Sequence, residues 1–441
     1  MSVSQIVFII SVIISAAFFF LSVSKIFKNI SFLKKPYPTN NYGERIQMLL
    51  NVAFAQTKIF RMPLVGFLHA IVFWGFMFIL FGSFEMIIDG FLGNERIFSF
   101  LGPVYSFMMA AGDISAFLIL LLIVIFLFRR WFLKIRRFKG EEMRHKDHKD
   151  ASFALLLILI LMVSLLNINI AYVANCKLLG EEIAGFYPVS NLFTPLFAAY
   201  DTHFLEWLTL LNWWIHILGI FFFANYLPYS KHFHVFMSLP NVYFSRVGPL
   251  TQMTNMDSVK DEVKLMMDPN AAFADLPPEE EAPIERFGVK DVEDGTWKNY
   301  IDSLTCTQCG RCTAACPANQ TGKKLSPRKI VLDYRRRIEE KSPGLRKNGK
   351  EFDDGKSLFR DYISFEELWA CTTCNACAME CPVNIDHPTL ILDLRRYIFM
   401  EESAAPSLIN AMSTNIENNG APWQYPPSDR LKWADELYIE N

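Results

Sequence analysis

Cysteine is almost absent from the first 300 residues of this sequence. Basic residues are almost absent from two stretches within them, and the chain as a whole has little net charge. A net charge of −2 over 441 residues excludes the electrostatic footprint of a nucleic-acid or other polyanion partner. No Gly-rich loop sits on a strand–helix unit, so a phosphate-cradling nucleotide site is excluded as well. No basic segment precedes the first apolar run. Its charges, Lys25 and Lys28, follow it, which favours a retained helix over a cleaved signal peptide. Paired inverted repeats and broken apolar helices, the marks of many transporters, are also missing.

What is present is unevenly spread. The chain is 52% hydrophobic, and residues 1–240 carry most of the Phe, Leu and Ile. Five runs there are long enough to cross a bilayer as helix: 5–27, 62–88, 104–128, 151–173 and 204–229. The loop 129–149 holds nine basic residues and the segment 25–61 holds seven, whereas 89–103 and 174–203 hold one each, Arg96 and Lys177. The excess of Lys and Arg on cytoplasmic loops places 28–61, 130–150 and everything after 230 inside, with the N-terminus outside, in a bacterial or archaeal cytoplasmic membrane.

The second half holds eight of the nine cysteines, in two runs: Cys306, Cys309, Cys312, Cys316, Pro317 and Cys371, Cys374, Cys377, Cys381, Pro382. A C-x2-C-x2-C-x3-C-P run wraps three thiolates around one cubane cluster, and in two-cluster ferredoxins its fourth cysteine serves the other cluster. The expectation is one [4Fe–4S] cluster on Cys306, Cys309, Cys312 and Cys381, and a second on Cys371, Cys374, Cys377 and Cys316. Structural zinc prefers two C-x2-C pairs, and disulfides are disfavoured in a reducing compartment. The ninth, Cys176, reads as an unpaired thiol on the outer side. The 54 residues between the runs exceed the gap of a minimal ferredoxin. They include a basic helical stretch, Ser326–Lys341, that reads either as a solvated face or as a dock for an acidic partner. Leu390–Glu402 reads as a further helix.

Imidazoles inside a membrane are costly and usually functional. His69 lies in the second run and His216 in the fifth, with His232 and His234 at its cytoplasmic end. At 100° per residue His216 and His234, 18 residues apart, face the same way, roughly 27 Å apart, a spacing that suits two stacked haems, with Pro228 between them as a site for a kink. His145 and His148 fall in the basic loop and read as solvated. Glu85, Asp89, Asp113 and Glu206 lie near the outer ends of spans. They are candidates for moving the protons of a quinone reaction, although charges at span ends usually face water.

His216, Pro228-Tyr229-Ser230-Lys231 and His234 resemble the fifth helix of the respiratory nitrate reductase gamma subunit, a five-helix di-haem cytochrome b. That family carries two histidines on its second helix. His69 matches one, and Ile79 stands where the other would be. The resemblance implies an inner haem b held by His69 and His234. It also implies an outer haem held by His216 and a second ligand, for which His203 is the nearest spare imidazole. His203 is 13 residues from His216, about 220° around a helix, so it serves only if the chain bends before the span begins.

With the cysteine runs added, the arrangement resembles the heterodisulfide-reductase-like iron–sulfur oxidoreductases. The implied fold is mostly α: a five-helix transmembrane bundle (1–240), an acidic, Pro-containing linker (241–295, with Pro277-Pro278-Glu279-Glu280-Glu281), a cytoplasmic, largely helical two-cluster ferredoxin-like domain (296–402) and a C-terminal tail (403–441) packed near the clusters or a partner. The implied function is electron transfer between the membrane quinone pool and a cytoplasmic redox partner. That partner would be a subunit with the paired cysteine-rich modules that many relatives carry, or an electron-transfer flavoprotein, with the substrate-converting module expected on a separate chain. A redox sensor or a transport-coupled iron–sulfur protein is the alternative.

Overall fold

A computed structural model describes residues 2–36, 39–133, 135–250, 252–268, 286–435 and 437. The acidic stretch Pro277–Glu281 of the expected linker lies outside the described residues. Among those described, the secondary structure is helical, with only two isolated bridges, Lys34 with Thr296 and Phe359 with Ile363.

The five apolar runs are five helices: α1 (Val3–Ile30), α3 (Pro63–Leu92), α4 (Pro103–Phe132), α5 (His145–Leu179) and α7 (Thr202–Tyr226), with α2 (Tyr42–Met48) and α6 (Pro188–Phe193) between them. At 1.5 Å per residue each is long enough to cross a bilayer. Local chemistry fixes their ends. Ser2 and Gln5 form a capping box on α1, and Pro63 and Pro103 open α3 and α4 where a helix has no use for an N–H. Asp201 accepts from the Phe204 amide to start α7, and Gly93 and Gly180 end α3 and α5 in left-handed conformation. The helices pack chiefly as α3 on α4 and α5 on α7, around Ile79, Ile119, Ile123, Leu161, Leu166 and Ile170. Their outward faces present Ile10, Phe18, Phe67, Phe107 and Leu210 uncovered, as lipid-facing surfaces do.

The fifth span does not continue to His234. α7 ends at Tyr226, a 3₁₀ turn covers Leu227–Tyr229, Ser230 is extended, a second turn covers Lys231–Phe233, and α8 (His234–Tyr243) then starts afresh. Pro228 cannot continue the hydrogen-bond ladder. The register that would align His216 with His234 on one helix is therefore lost, and the two are brought to their places by separate elements.

After the exposed α9 (Asp257–Met267), the cysteine-bearing half runs through α10 (Trp297–Thr305), α11 (Arg311–Ala315), α12 (Pro317–Gln320), α13 (Pro327–Asn348) and helix His387–Met400. It shares a core with the membrane half: Leu33, Leu227 and Phe233 bury against Tyr300, Leu304, Ile330 and Tyr334. The basic side chains of the stretch Ser326–Lys341 are taken up by ion pairs within the chain. Arg328 is buried on Glu142 of the loop after α4 at 2.7 Å, Arg337 lies 2.6 Å from both Asp291 and Asp354, and Lys341 reaches Asp291 at 2.8 Å. The tail helix Ser407–Asn419 buries no residue, and Trp423 and Trp433 are exposed.

Candidate functional site

The two cysteine runs fold as copies. Each loop turns left-handed at the second residue after its first cysteine, Gln308 (φ 58°) and Thr373 (φ 54°). Each does so again just after its second cysteine, at Gly310 (φ 74°) and Asn375 (φ 59°). A short helix then carries the third cysteine: α11 holds Cys312 and helix Ala376–Glu380 holds Cys377. These two helices pack on each other, which exchanges the fourth cysteines. Cys306, Cys309, Cys312 and Cys381 line one cavity, and Cys316, Cys371, Cys374 and Cys377 line the other. Cys316 closes α11 and caps α12. Cys381 likewise closes helix Ala376–Glu380, but the chain turns before its next helix.

None of the nine cysteines is in a disulfide. Burial pushes the Cys306 thiol up to about 11 and Cys381 up to about 12, so these thiolates need a cationic partner to persist. Among the described residues, no group of three or more His, Cys, Asp or Glu side chains is placed to hold a single metal ion. The thiols stand around two cavities rather than on one point. The two cavities differ in exposure: Cys306, Cys312 and Cys381 are buried, whereas Cys374 is exposed.

The cavity of Cys306 faces the membrane half. Lys231 donates from Nζ to Gln308 Oε1 at 2.9 Å, and Gln308 Nε2 donates to Asp147 at 2.9 Å. Burial, with Arg130 nearby, pushes the Lys231 ammonium down to about 8. From the second-span side, Lys58 and Arg61 donate to the Ala378 and Met379 carbonyls at 3.2 and 2.8 Å, and Arg61 and Arg311 both pair with Glu380 at 3.0 Å.

Three membrane histidines have a common arrangement. His69 Nδ1 is 3.0 Å from Gln56 Oε1, His216 Nδ1 is 3.0 Å from the Leu161 carbonyl, and His234 Nδ1 is 3.0 Å from the Lys231 carbonyl. A carbonyl oxygen only accepts, so each Nδ1 carries the proton and each Nε2 keeps its lone pair. The His216 Nε2 is buried without a partner. His69 and His234 are close enough to interact electrostatically. His203 is exposed in the first turn of α7. The helix already runs straight there, so the bend that would turn His203 towards His216 does not occur, and it is no partner for that residue. His232 is half-buried beside Ser230, and Ile79 packs in the apolar core.

Two of the acidic candidates do not face water. Asp113 accepts from the Val189 and Ser190 amides, the Ser190 hydroxyl and Asn169. Glu85 accepts from the Phe98 amide and the Tyr105 hydroxyl. Both are committed to anchoring the segments that follow α3 and α5, and Asp89 likewise holds the Arg96 and Ile97 amides. Glu206 is exposed. Sequence reasoning missed Gln56, whose role comes from a left-handed turn (φ 53°) after a π-helical segment. It also missed His387, which lines the cavity of Cys306.

Residues 305–385 match the family model described as a 4Fe-4S dicluster domain. The chain is 30% identical over 426 residues to the "Probable iron-sulfur-binding oxidoreductase FadF" of Bacillus subtilis, covering 90% of this chain and 56% of that protein. It is 28% identical over 419 residues to the "EtfAB:quinone oxidoreductase" of Syntrophomonas wolfei, covering 89% and 54%. Over 171 residues it is 35% identical to the "Probable membrane-anchored ferredoxin" of Chromohalobacter salexigens, covering 36% and 25%. The chain thus spans about half the length, or less, of these curated relatives. No solved structure matches it. It is related to iron–sulfur-binding oxidoreductases, and it carries five helices long and apolar enough to cross a membrane.

Proposed function

We propose that this chain is a membrane-bound electron-transfer oxidoreductase linking a membrane quinone to a redox partner, with haem b and two [4Fe–4S] clusters as its carriers. Each of these groups takes up and releases one electron. One observation carries the reading: the membrane histidines and the cysteine cavities adjoin. His234, beside His69, is hydrogen-bonded to Lys231, and Lys231 reaches Gln308 inside the first cysteine run.

The residues suit the groups. Four thiols around each cavity match cubane ligation, with Cys306, Cys309, Cys312 and Cys381 holding one cluster and Cys316, Cys371, Cys374 and Cys377 the other. A histidine whose Nδ1–H is held by a carbonyl presents Nε2 to a metal. His69 and His234 would hold one haem, and the unpartnered Nε2 of His216 would bind a second. The exposed Cys374 edge is the side open to a soluble partner. The name of the Syntrophomonas relative supports a quinone and a flavoprotein as the two ends of the path. The basic loop after α4, seated on α13 through Glu142 and Arg328, supports a cysteine half on the positive, cytoplasmic side.

The test is spectroscopic. Purified protein should give a b-type pyridine haemochrome, a quinol analogue should reduce that haem, and two [4Fe–4S] signals should appear by paramagnetic resonance. His69→Ala should lose one haem and keep both cluster signals. A preparation rich in iron and sulfide but without haem would overturn the quinone-to-cluster path.

A further inference from the structure

His387 is the first residue of helix His387–Met400, fixed there by the Asp386 cap, which accepts from the Thr389 amide and hydroxyl at 3.3 and 2.8 Å. Its side chain is 1% exposed. It forms part of the wall that Cys306, Cys309, Cys312 and Cys381 also line, and its Nδ1 is buried with no hydrogen-bond partner. An unmet buried polar atom is costly, so native interiors rarely keep one without a purpose. Four converging thiolates make the surroundings of that wall rich in negative charge. There a bare lone pair on Nδ1 is repelled and an N–H is attracted, so the cavity selects the tautomer with the proton on Nδ1. Burial, opposed by Asp386 and the Ile385 backbone, holds this imidazole down at about 4, so it is neutral at ordinary pH and carries one ring proton.

The two cavities are built unequally. The second is lined by Pro317, Leu325, Pro327, Thr372, Pro388 and Ile391 besides its cysteines and Asn375, with no imidazole, and it reaches solvent at Cys374. Water there stabilises the extra negative charge of a reduced cluster. The first cavity keeps three of its four cysteines buried, so its donors come chiefly from the protein, and Arg328 and His387 stand in its wall with Thr307 and Gln308.

We propose that His387 donates its Nδ1 proton as a hydrogen bond to a sulfur of the cluster held by Cys306, Cys309, Cys312 and Cys381, and so raises that cluster's reduction potential to offset its burial. This rests on the assignment of the eight cysteines as cluster ligands. The bond strengthens when the cluster gains an electron, because the sulfurs become more negative, and no bond breaks. His387 is thus a tuning residue and not a ligand.

Redox titration of the full-length protein followed by paramagnetic resonance tests this. In His387→Leu the midpoint of one of the two cluster signals should move to lower potential while the other stays. His387→Asn, which keeps an N–H donor, should recover part of the shift. Unmoved midpoints in a His387→Leu protein that retains both clusters would overturn the proposal. Should that variant lose a cluster, wild-type protein grown with 15N-histidine decides: a nitrogen hyperfine coupling on one cluster signal supports the bond, and its absence from both refutes it. A protein showing no cubane signals would instead defeat the ligand assignment itself, which separates the two failures.

Discussion

Each of His69, His216 and His234 sets its Nδ1 against a carbonyl oxygen, but the three acceptors differ in kind. Those of His216 and His234 are backbone carbonyls, Leu161 and Lys231, which no substitution removes. That of His69 is the side-chain amide of Gln56, itself 2% exposed and held in a left-handed turn. A carbonyl behind an imidazole fixes its tautomer and strengthens Nε2 as a ligand, and losing such a support commonly costs about 10- to 100-fold in metal affinity. Gln56→Leu keeps the volume and removes the acceptor. On the proposed haem assignment it is expected to weaken haem retention at the His69–His234 position by roughly that factor and to leave retention at His216 unchanged. Haem-to-protein ratios after graded detergent washing measure the difference. Equal retention at the two positions would show that Gln56 contributes packing alone.

At the scale of elements, the two cysteine loops share one backbone but not one residue at its tightest point. Gly310 and Asn375 occupy equivalent left-handed positions. Asn tolerates this conformation, in which a residue with a Cβ generally loses roughly 1–2 kcal/mol. Asn does not fit at 310, because a Cβ there would lie 2.2 Å from the Arg137 carbonyl oxygen. Glycine at 310 therefore records the docking of the loop after α4 on the first cysteine run. Gly310→Ala should displace that loop and empty the Cys306 site, so that iron and acid-labile sulfide fall to roughly half, the share of one of two cubane sites. Asn375→Gly should leave both values unchanged. The same contrast shows what the sequence makes legible. Apolar length announces the five helices, and spacing announces the two cysteine runs, because both are local properties of the chain. Pro228 marks the break that separates His234 from α7, but nothing local shows that Leu227 and Phe233 there bury against the cysteine half. The basic residues of α13 look free until Glu142, Asp291 and Asp354 arrive from distant segments. Gln56 and His387 carry no spacing pattern at all. Only tertiary placement shows them, one behind a histidine and the other in a cavity wall.

For the whole molecule the decisive feature is that the membrane half and the cysteine half do not merely adjoin. They share a core, in which Leu33, Leu227 and Phe233 lie with Tyr300, Leu304 and Tyr334, and Asn29 donates to the Tyr300 hydroxyl at 3.1 Å. Such a junction holds the histidines and the first cysteine run at a fixed separation, as electron transfer between their groups requires. Lys231 is the polar link that joins His234 to the first cysteine run. Its carbonyl holds His234 at 3.0 Å and its Nζ reaches Gln308 at 2.9 Å. It also donates to the Asp147 carbonyl. Lys231→Met keeps the backbone carbonyl and the side-chain length but removes the ammonium. Each lost bond from a charged donor is worth about 1.5–3 kcal/mol, too little to dissolve the shared core. Haem and cluster contents should therefore match the wild type, and stopped-flow mixing with a quinol analogue should reduce the haem at an unchanged rate. The clusters should then follow more slowly, so that reduced haem accumulates early in the time course. If they follow at the wild-type rate, electrons cross the junction by another route, and the next residues to test are Lys58 and Arg61, which contact the carbonyls of helix Ala376–Glu380 from the second-span side.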